Sequence, residues 1–180
     1  MPAPIVGVSL TSQSIGRPPA RFRRKLMLYQ VFKFLHVLGV ILLIGNVTVT
    51  AFWKVFADRT NDARLVAHAQ HGVTVSDWLF TAAGIAFLII GGYGMAVVAG
   101  INVFGSSWLI WGQILFVVSG LIWAAILIPT QIRQARQARA FDLSQPIPSQ
   151  YKRDSRTWIV WGVIATVPLV AAVAIMIAKP

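Results

Sequence analysis

The stretch that decides the fold is YQVFKFLHVLGVILLIGNVTVTAFW, residues 29–53, the first long apolar run of the chain. At a rise of about 1.5 Å per residue this run exceeds the roughly 30 Å hydrocarbon core of a bilayer, so it predicts one membrane-spanning helix. It nevertheless contains Lys33 and His36. Ionisable groups at membrane depth are expensive, and by default they face a protein interior where they bind or pair. The run therefore predicts a membrane protein and indicates where a functional site lies.

The composition supports a membrane protein and excludes several other classes. Of the 180 residues 57% are hydrophobic and 12% are charged, whereas soluble domains have about 25% charged residues. The absence of cysteine excludes disulfides, thiolate metal sites and cysteine nucleophiles. The net charge is +11, but the basic residues cluster in the N-terminal segment and two polar loops, as lipid headgroups and topology require. We therefore predict the lipid bilayer as a partner and no nucleic acid.

Three further apolar runs follow, and together the four predict an all-α, four-transmembrane-helix antiparallel bundle. The spans are expected at about residues 29–53, 74–99, 108–129 and 158–178. Residues 1–25 are basic and lack apolar periodicity, which predicts a flexible, disordered tail before a membrane domain of residues 26–180. We do not expect a signal peptide, because the first apolar run is far longer than the apolar region of such peptides. The short connection at residues 100–107 predicts that spans two and three are antiparallel neighbours in a compact bundle.

Helix starts and sidedness rest on weaker signals. Ser76, Ser107 and Thr157 each precede a tryptophan, and we expect them to be helix N-caps where the chain enters the membrane. Nine Lys and Arg residues fall on the side of the first and third loops and seven on the other side. This difference is too small for the positive-inside rule to give the orientation, which stays open.

Spans one and two each carry a stripe of small and polar residues, the kind of face that meets other helices in lipid. The stripes include Lys33, His36, Gly39, Asn46 and Thr50 in span one, and Asp77, Thr81, Gly84 and Gly91 in span two. Helix rise places His36 about 7 Å from the midplane on the N-terminal side and Asp77 about 13 Å from it on the other side. Two separate polar sites are therefore predicted.

The first predicted site surrounds His36. At its depth the other spans contribute one amide and several residues with little side chain, among them Gly91, Gly92, Gly112 and Gln113. Either the helices cross closely here, or they leave a slot for a flat cofactor. Haem b suits such a slot, with His36 binding the iron, Met95 or Met176 as the sixth ligand, and Lys33 near a propionate. The alternative is a neutral histidine hydrogen-bonded to Gln113 or a backbone carbonyl, with Lys33 reaching the interface.

The second predicted site contains Asp77, the only acid within an apolar span. We expect a structural polar cluster with Asn46, Lys54 and Gln131, in which Asp77 pairs with Lys54 or hydrogen-bonds to Gln131. This is favoured over a proton relay, since the burial penalty near the interface is modest. Just outside the span, His68 and His71 share a helical face and could begin a copper or zinc site, but solvated histidines are the plainer interpretation. No catalytic residue is identified.

Four short motifs mark the ends of the spans: Lys33-x-x-His36-x-x-Gly39, Asp77-Trp78, Pro129-x-Gln131-x-Arg133 and the final Ala178-Lys179-Pro180. Together they resemble a group of small bacterial four-helix membrane proteins that is catalogued as a domain of unknown function. The first motif is also similar to that of HemJ-type protoporphyrinogen oxidases and CopD-type copper-resistance proteins. The HemJ resemblance implies that His36 meets haem, although Gln30, Val31 and Phe32 depart from that family's Tyr-x-Trp-x-Lys signature.

The resulting expectation is a multi-pass protein of the bacterial inner membrane that binds haem b through His36 and has a redox or haem-related role. The alternative is a cofactor-free accessory or assembly subunit that docks on a larger membrane complex or forms a homo-oligomer. Copper handling at His68 and His71 is a weaker hypothesis. A transporter is least expected, because four spans with a single membrane acid offer no obvious alternating pathway.

Overall fold

The computed structural model describes residues 19–179. This part of the chain folds into four long helices, α1 (Ala20–Thr60), α2 (Ala63–Ala99), α3 (Ser107–Arg139) and α4 (Ser149–Ala178). All four are long and apolar enough to cross a membrane. The described residues contain no strand. The predicted all-α fold with four transmembrane helices is therefore confirmed.

The helices extend beyond the apolar spans, and the predicted tail boundary and N-caps are wrong. α1 begins at Ala20, so the residues from Ala20 to Lys25 are helical rather than part of a tail; the predicted tail otherwise lies outside the described residues. α2 begins at Ala63 and α4 at Ser149, so Ser76 and Thr157 are not N-caps. Ser106, one residue before Ser107, holds the N-cap position of α3. Hydropathy marks where lipid ends, whereas polar residues with good helix propensity continue a helix into water.

Two of the helices contain a π-helical turn. The turn in α2 comprises Asp77–Thr81 and the turn in α3 comprises Trp123–Leu127. A π-turn bonds each N–H one residue further back than an α-turn does, which inserts an extra residue and rotates the side chains that follow. Such turns are often found at functional sites.

The helices pack as two antiparallel hairpins, α1 with α2 and α3 with α4. The hairpins meet at the end formed by the first and third loops, where residues 63–76 of α2 contact residues 128–139 of α3. Toward the second loop they diverge: in the described structure no Cα atom of residues 82–99 lies within 8 Å of one in residues 107–122. The predicted packing of α2 against α3 is therefore close at one end only, and at the other end the Tyr93 side chain bridges the wider gap with a hydrogen bond to Gln113.

Glycines allow α1 and α2 to cross in direct backbone contact. A Cβ atom added at Gly39 would lie 2.5 Å from the Leu88 nitrogen, and one added at Gly91 would lie 2.4 Å from the His36 nitrogen. Lipid tails are as apolar as a helix surface, so membrane helices associate through close contacts of this kind rather than through the hydrophobic effect. The two stripes of small and polar residues thus meet each other.

A buried polar network joins the hairpins at the end where they meet. Lys54 is 1% exposed, and its Nζ lies 3.1 Å from Asp58 Oδ2 and 2.9 Å from the Tyr151 hydroxyl oxygen. The Tyr151 hydroxyl in turn donates to Gln70 Oε1 at 3.2 Å, and the Ser155 hydroxyl donates to Asp58. The network connects α1, α2 and α4. Because buried hydrogen bonds of this kind strengthen one another, it fixes the positions of three helices.

Candidate functional site

His36 lies against the backbone of α2. Its Nδ1 is 2.9 Å from the Leu88 carbonyl oxygen, and because a carbonyl only accepts, the imidazole donates from Nδ1. Gly92 lies beside the ring, where an added Cβ atom would be 3.1 Å from Nδ1, and Gly91 contacts the His36 backbone. The small residues of α2 at this depth therefore form a close crossing with α1 and leave no slot between these two helices. The observed geometry matches the alternative interpretation of His36, a histidine hydrogen-bonded to a backbone carbonyl.

The other residues predicted near His36 are divided between the two hairpins. The Gln113 amide nitrogen donates to the carbonyls of Val103 and Leu109, and its oxygen accepts from the Tyr93 hydroxyl at 2.7 Å. The methyl group of Met176 fills the space beside Gly112, where an added Cβ atom would lie 2.3 Å from it. Lys33 is exposed and Met95 is half-buried. Of the predicted set, the contacts bring together His36, Gly91 and Gly92.

The predicted metal ligands His68 and His71 are both exposed on α2. Within residues 19–179 no group of three or more His, Cys, Asp or Glu side chains could hold a metal ion. Two imidazoles supply only half of a tetrahedral ligand set. The copper hypothesis therefore gains no third ligand from the described residues.

Asp77 lies at the start of the π-turn of α2 and is 8% exposed. Its Oδ1 accepts from Asn46 Nδ2 at 2.8 Å and from the Thr81 hydroxyl at 3.2 Å. Gln131 lines the same small cavity as Asp77. Of the two partners predicted for Asp77, Gln131 lies beside it in the lining of that cavity, while Lys54 bonds to Asp58 instead. The ion pairs among residues 19–179 are Lys54–Asp58 and Arg133–Asp154, so Asp77 has no cationic partner there.

Asp77 also lines a cleft of about 470 Å³ that lies between the two hairpins. α1 contributes residues from Val47 to Ala51, and α4 contributes residues from Trp158 to Val170, a length of about 18 Å at 1.5 Å per residue. The wall is largely apolar. Its three threonine hydroxyls donate to carbonyls of their own helices, Thr48 to Ile44, Thr50 to Asn46 and Thr166 to Gly162. Asp77 is therefore the one ionisable group in this wall.

Two indole rings share the wall with the Asp77 carboxyl group. Trp123, at the start of the π-turn of α3, lines this cleft and a small adjoining cavity of about 20 Å³ that Asp77 also lines. Trp158 lies in the α4 wall, and its ring centroid is 6.0 Å from Lys54 Nζ. A carboxyl group beside aromatic rings in an apolar cleft is the set of groups that recognises an ammonium ion.

Sequence reasoning missed this cleft and its tryptophans. A usable signal was present in the depths of the residues. Counted from the middle of its span, Trp123 lies about 7 Å toward the third loop, on the same side of the membrane as Asp77. Which faces of α2 and α3 meet could not be read, because each helix contains a π-turn that rotates its side chains.

Comparison with known proteins gives one match. A family model described as predicted integral membrane protein (DUF2269) matches residues 30–180. No curated protein and no solved structure matches the chain. The matched range covers α2, α3, α4 and all but the first turns of α1.

Proposed function

We propose that the chain, which belongs to the DUF2269 family of predicted integral membrane proteins, binds membrane-soluble ammonium compounds in the cleft between its two hairpins. The observation that carries this proposal is the Asp77 carboxyl group, 8% exposed and without a cation partner among residues 19–179, in the wall of a largely apolar cleft. A charge in such surroundings is costly unless it is paired. An ammonium head group supplies the missing partner.

The residues around Asp77 have distinct roles in this proposal. Asn46 and Thr81 donate to Oδ1 and so hold the carboxyl group in place. The ammonium group brings a positive charge and N–H donors to the carboxyl group, and the Trp123 ring adds a cation–π contact of about 0.5–2 kcal/mol. The alkyl chain of the ligand lies along α4. Because lipid is as apolar as the cleft, the chain adds little affinity and the head group decides specificity.

The test compares dodecylamine with dodecanol, which has the same chain and no charge. We expect saturable binding of radiolabelled dodecylamine to the protein in nanodiscs, above the background of empty nanodiscs, and no such binding of dodecanol. Asp77→Asn should weaken dodecylamine binding at least tenfold, about 1.4 kcal/mol, because it removes the charge and keeps the shape.

Asp142→Asn serves as the matched control, because Asp142 is exposed in the loop before α4, and it should bind like the wild type. Helicity measured for each variant shows whether it remains folded. The proposal fails if a folded Asp77→Asn variant binds dodecylamine as the wild type does, or if dodecanol binds equally well.

Haem b remains the second candidate, on the strength of one observation. His36 Nδ1 donates a hydrogen bond to the Leu88 carbonyl, so Nε2 is the ring nitrogen that would bind iron. Iron-ligating histidines commonly donate their other N–H to a backbone carbonyl in this way. The close crossing of α1 and α2 leaves no room for a haem between these two helices, so a bound haem would have to lie outside that crossing. There His36 would hold the iron, and Lys33 would be near a propionate.

An absorbance spectrum tests the haem candidate. If haem is bound, purified protein shows a Soret band that His36→Ala abolishes. His68→Ala, which replaces an exposed histidine of α2, is the matched control and should leave the band unchanged. A correctly folded, colourless protein excludes it, and it leaves the ammonium site untouched, because His36 is not in the wall of the cleft.

We place the protein in the bacterial inner membrane. Four apolar helices support this location, since proteins that span the outer membrane are β-barrels. Fractionation of the two membranes should find the protein with inner-membrane markers.

A further inference from the structure

The first turns of α4 carry a second cavity, of about 460 Å³, which is open to the surface and lies outside the cleft that contains Asp77. Three cationic side chains, a hydroxyl and two apolar side chains line it: Lys152, Arg153, Arg156, Thr157, Val160 and Trp161. All three cations are exposed. No acidic residue lines the cavity.

The positive charge of this cavity is not compensated within the described structure. Lys152 Nζ bonds to the neutral Asn61 Oδ1 at 2.8 Å, and Arg153 Nη2 bonds to Gln150 Oε1 at 2.6 Å. Neither ion pair among residues 19–179 involves these cations. The adjacent acid, Asp154, is buried and bonded to Arg133 and Gln137. Uncompensated positive charge of this kind attracts anions.

The other half of the cavity points to a lipid rather than a small anion. Val160 lies seven residues after Arg153, about 10 Å further along α4 toward the membrane interior. Trp161 is half-buried at the same level, and tryptophan is the side chain that prefers the boundary between headgroups and hydrocarbon. The cavity therefore has cationic side chains at one end and apolar side chains at the other, as a lipid has a charged phosphate at one end and acyl chains beyond it.

We propose that this cavity binds the phosphate headgroup of an anionic phospholipid, with an acyl chain along Val160 and Trp161. Arg153 and Arg156 hold the phosphate, and Lys152 adds to the positive field. Phospholipid headgroups attract basic residues close to the membrane surface in this way, and guanidinium groups suit phosphate geometry. The site is independent of the proposed ammonium cleft, because no residue lines both.

The test titrates phosphatidylglycerol into the detergent-solubilised, delipidated protein and counts bound lipids by native mass spectrometry. We expect one tightly bound phosphatidylglycerol, at least tenfold weaker binding in the double variant Arg153→Gln/Arg156→Gln, and no comparable binding of phosphatidylcholine. The matched control is Arg136→Gln/Arg139→Gln, which removes two exposed arginines at the same spacing from α3 and should bind as the wild type does.

Three results would overturn the proposal. They are unchanged affinity in Arg153→Gln/Arg156→Gln, an equal loss in the control variant, and displacement of the lipid by inorganic phosphate at equal concentration, which would indicate a site for free anions. Both double variants change exposed side chains only, and a helicity measurement on each verifies that it is folded.

Discussion

Asp58→Ala is expected to lower the free energy of unfolding by about 3–5 kcal/mol, because it leaves the Lys54 ammonium group buried without its counter-charge. Lys54 is 1% exposed, and its Nζ lies 3.1 Å from Asp58 Oδ2. Removing the carboxylate also takes an acceptor from Ser155. Helicity followed during titration of sodium dodecyl sulfate into mild-detergent micelles measures the effect.

Two further variants show whether the lost stability comes from the unpaired cation. Asp142→Ala removes an exposed loop carboxylate and should change stability by less than about 1 kcal/mol. The double variant Lys54→Met/Asp58→Ala should recover part of the loss, because it removes the buried charge together with its partner. If the double variant is as unstable as Asp58→Ala, the buried ammonium is not the cause.

Gly91→Ala is expected to destabilise the protein by about 1–3 kcal/mol, the usual cost of forcing extra atoms into a packed interface. The new Cβ atom would lie 2.4 Å from the His36 nitrogen and 2.6 Å from the Phe32 carbonyl oxygen. Both are backbone atoms, so no side chain can move aside and the two helices must separate. Sodium dodecyl sulfate titration again gives the free energy of unfolding.

Gly45→Ala is the control for this prediction, since a Cβ atom at Gly45 meets nothing within 4 Å. Alanine is the better helix former, so this variant should be unchanged or more stable by up to about 1 kcal/mol. A Gly91→Ala protein as stable as Gly45→Ala would show that α1 and α2 do not touch at Gly91.

Much of the fold follows from local sequence. The apolar runs predicted the four spans, and the spacing of Gly39, Asn46, Gly84 and Asp77 predicted which faces of α1 and α2 point toward other helices. These inferences depend on periodicity within one helix, which short-range geometry determines. The proximity of Asp77 and Gln131, which line one small cavity, was also predicted, because helix rise alone places both residues at similar depth.

The contacts inside the candidate site could not be predicted, because they depend on how several helices pack together. The glycines around His36 predicted either a close crossing or a slot, since missing side chains are compatible with both, and only the packed helices show the crossing. Lys54 was expected near Asp77, but its partner Tyr151 lies 97 residues away in sequence. The π-turns at Asp77–Thr81 and Trp123–Leu127 rotate the helix faces, and no residue pattern marked them.

The most direct test of an ammonium-binding cleft between the hairpins is photocrosslinking with a dodecylamine that carries a diazirine at the end of its chain. The protein in nanodiscs is irradiated, and the labelled residues are identified by mass spectrometry. We predict labels within residues 47–51 of α1 and 158–170 of α4, lost on adding excess dodecylamine or in Asp77→Asn. Labels spread over exposed, lipid-facing positions such as Val97 and Ile177, with equal yield in Asp77→Asn, would contradict the proposed function.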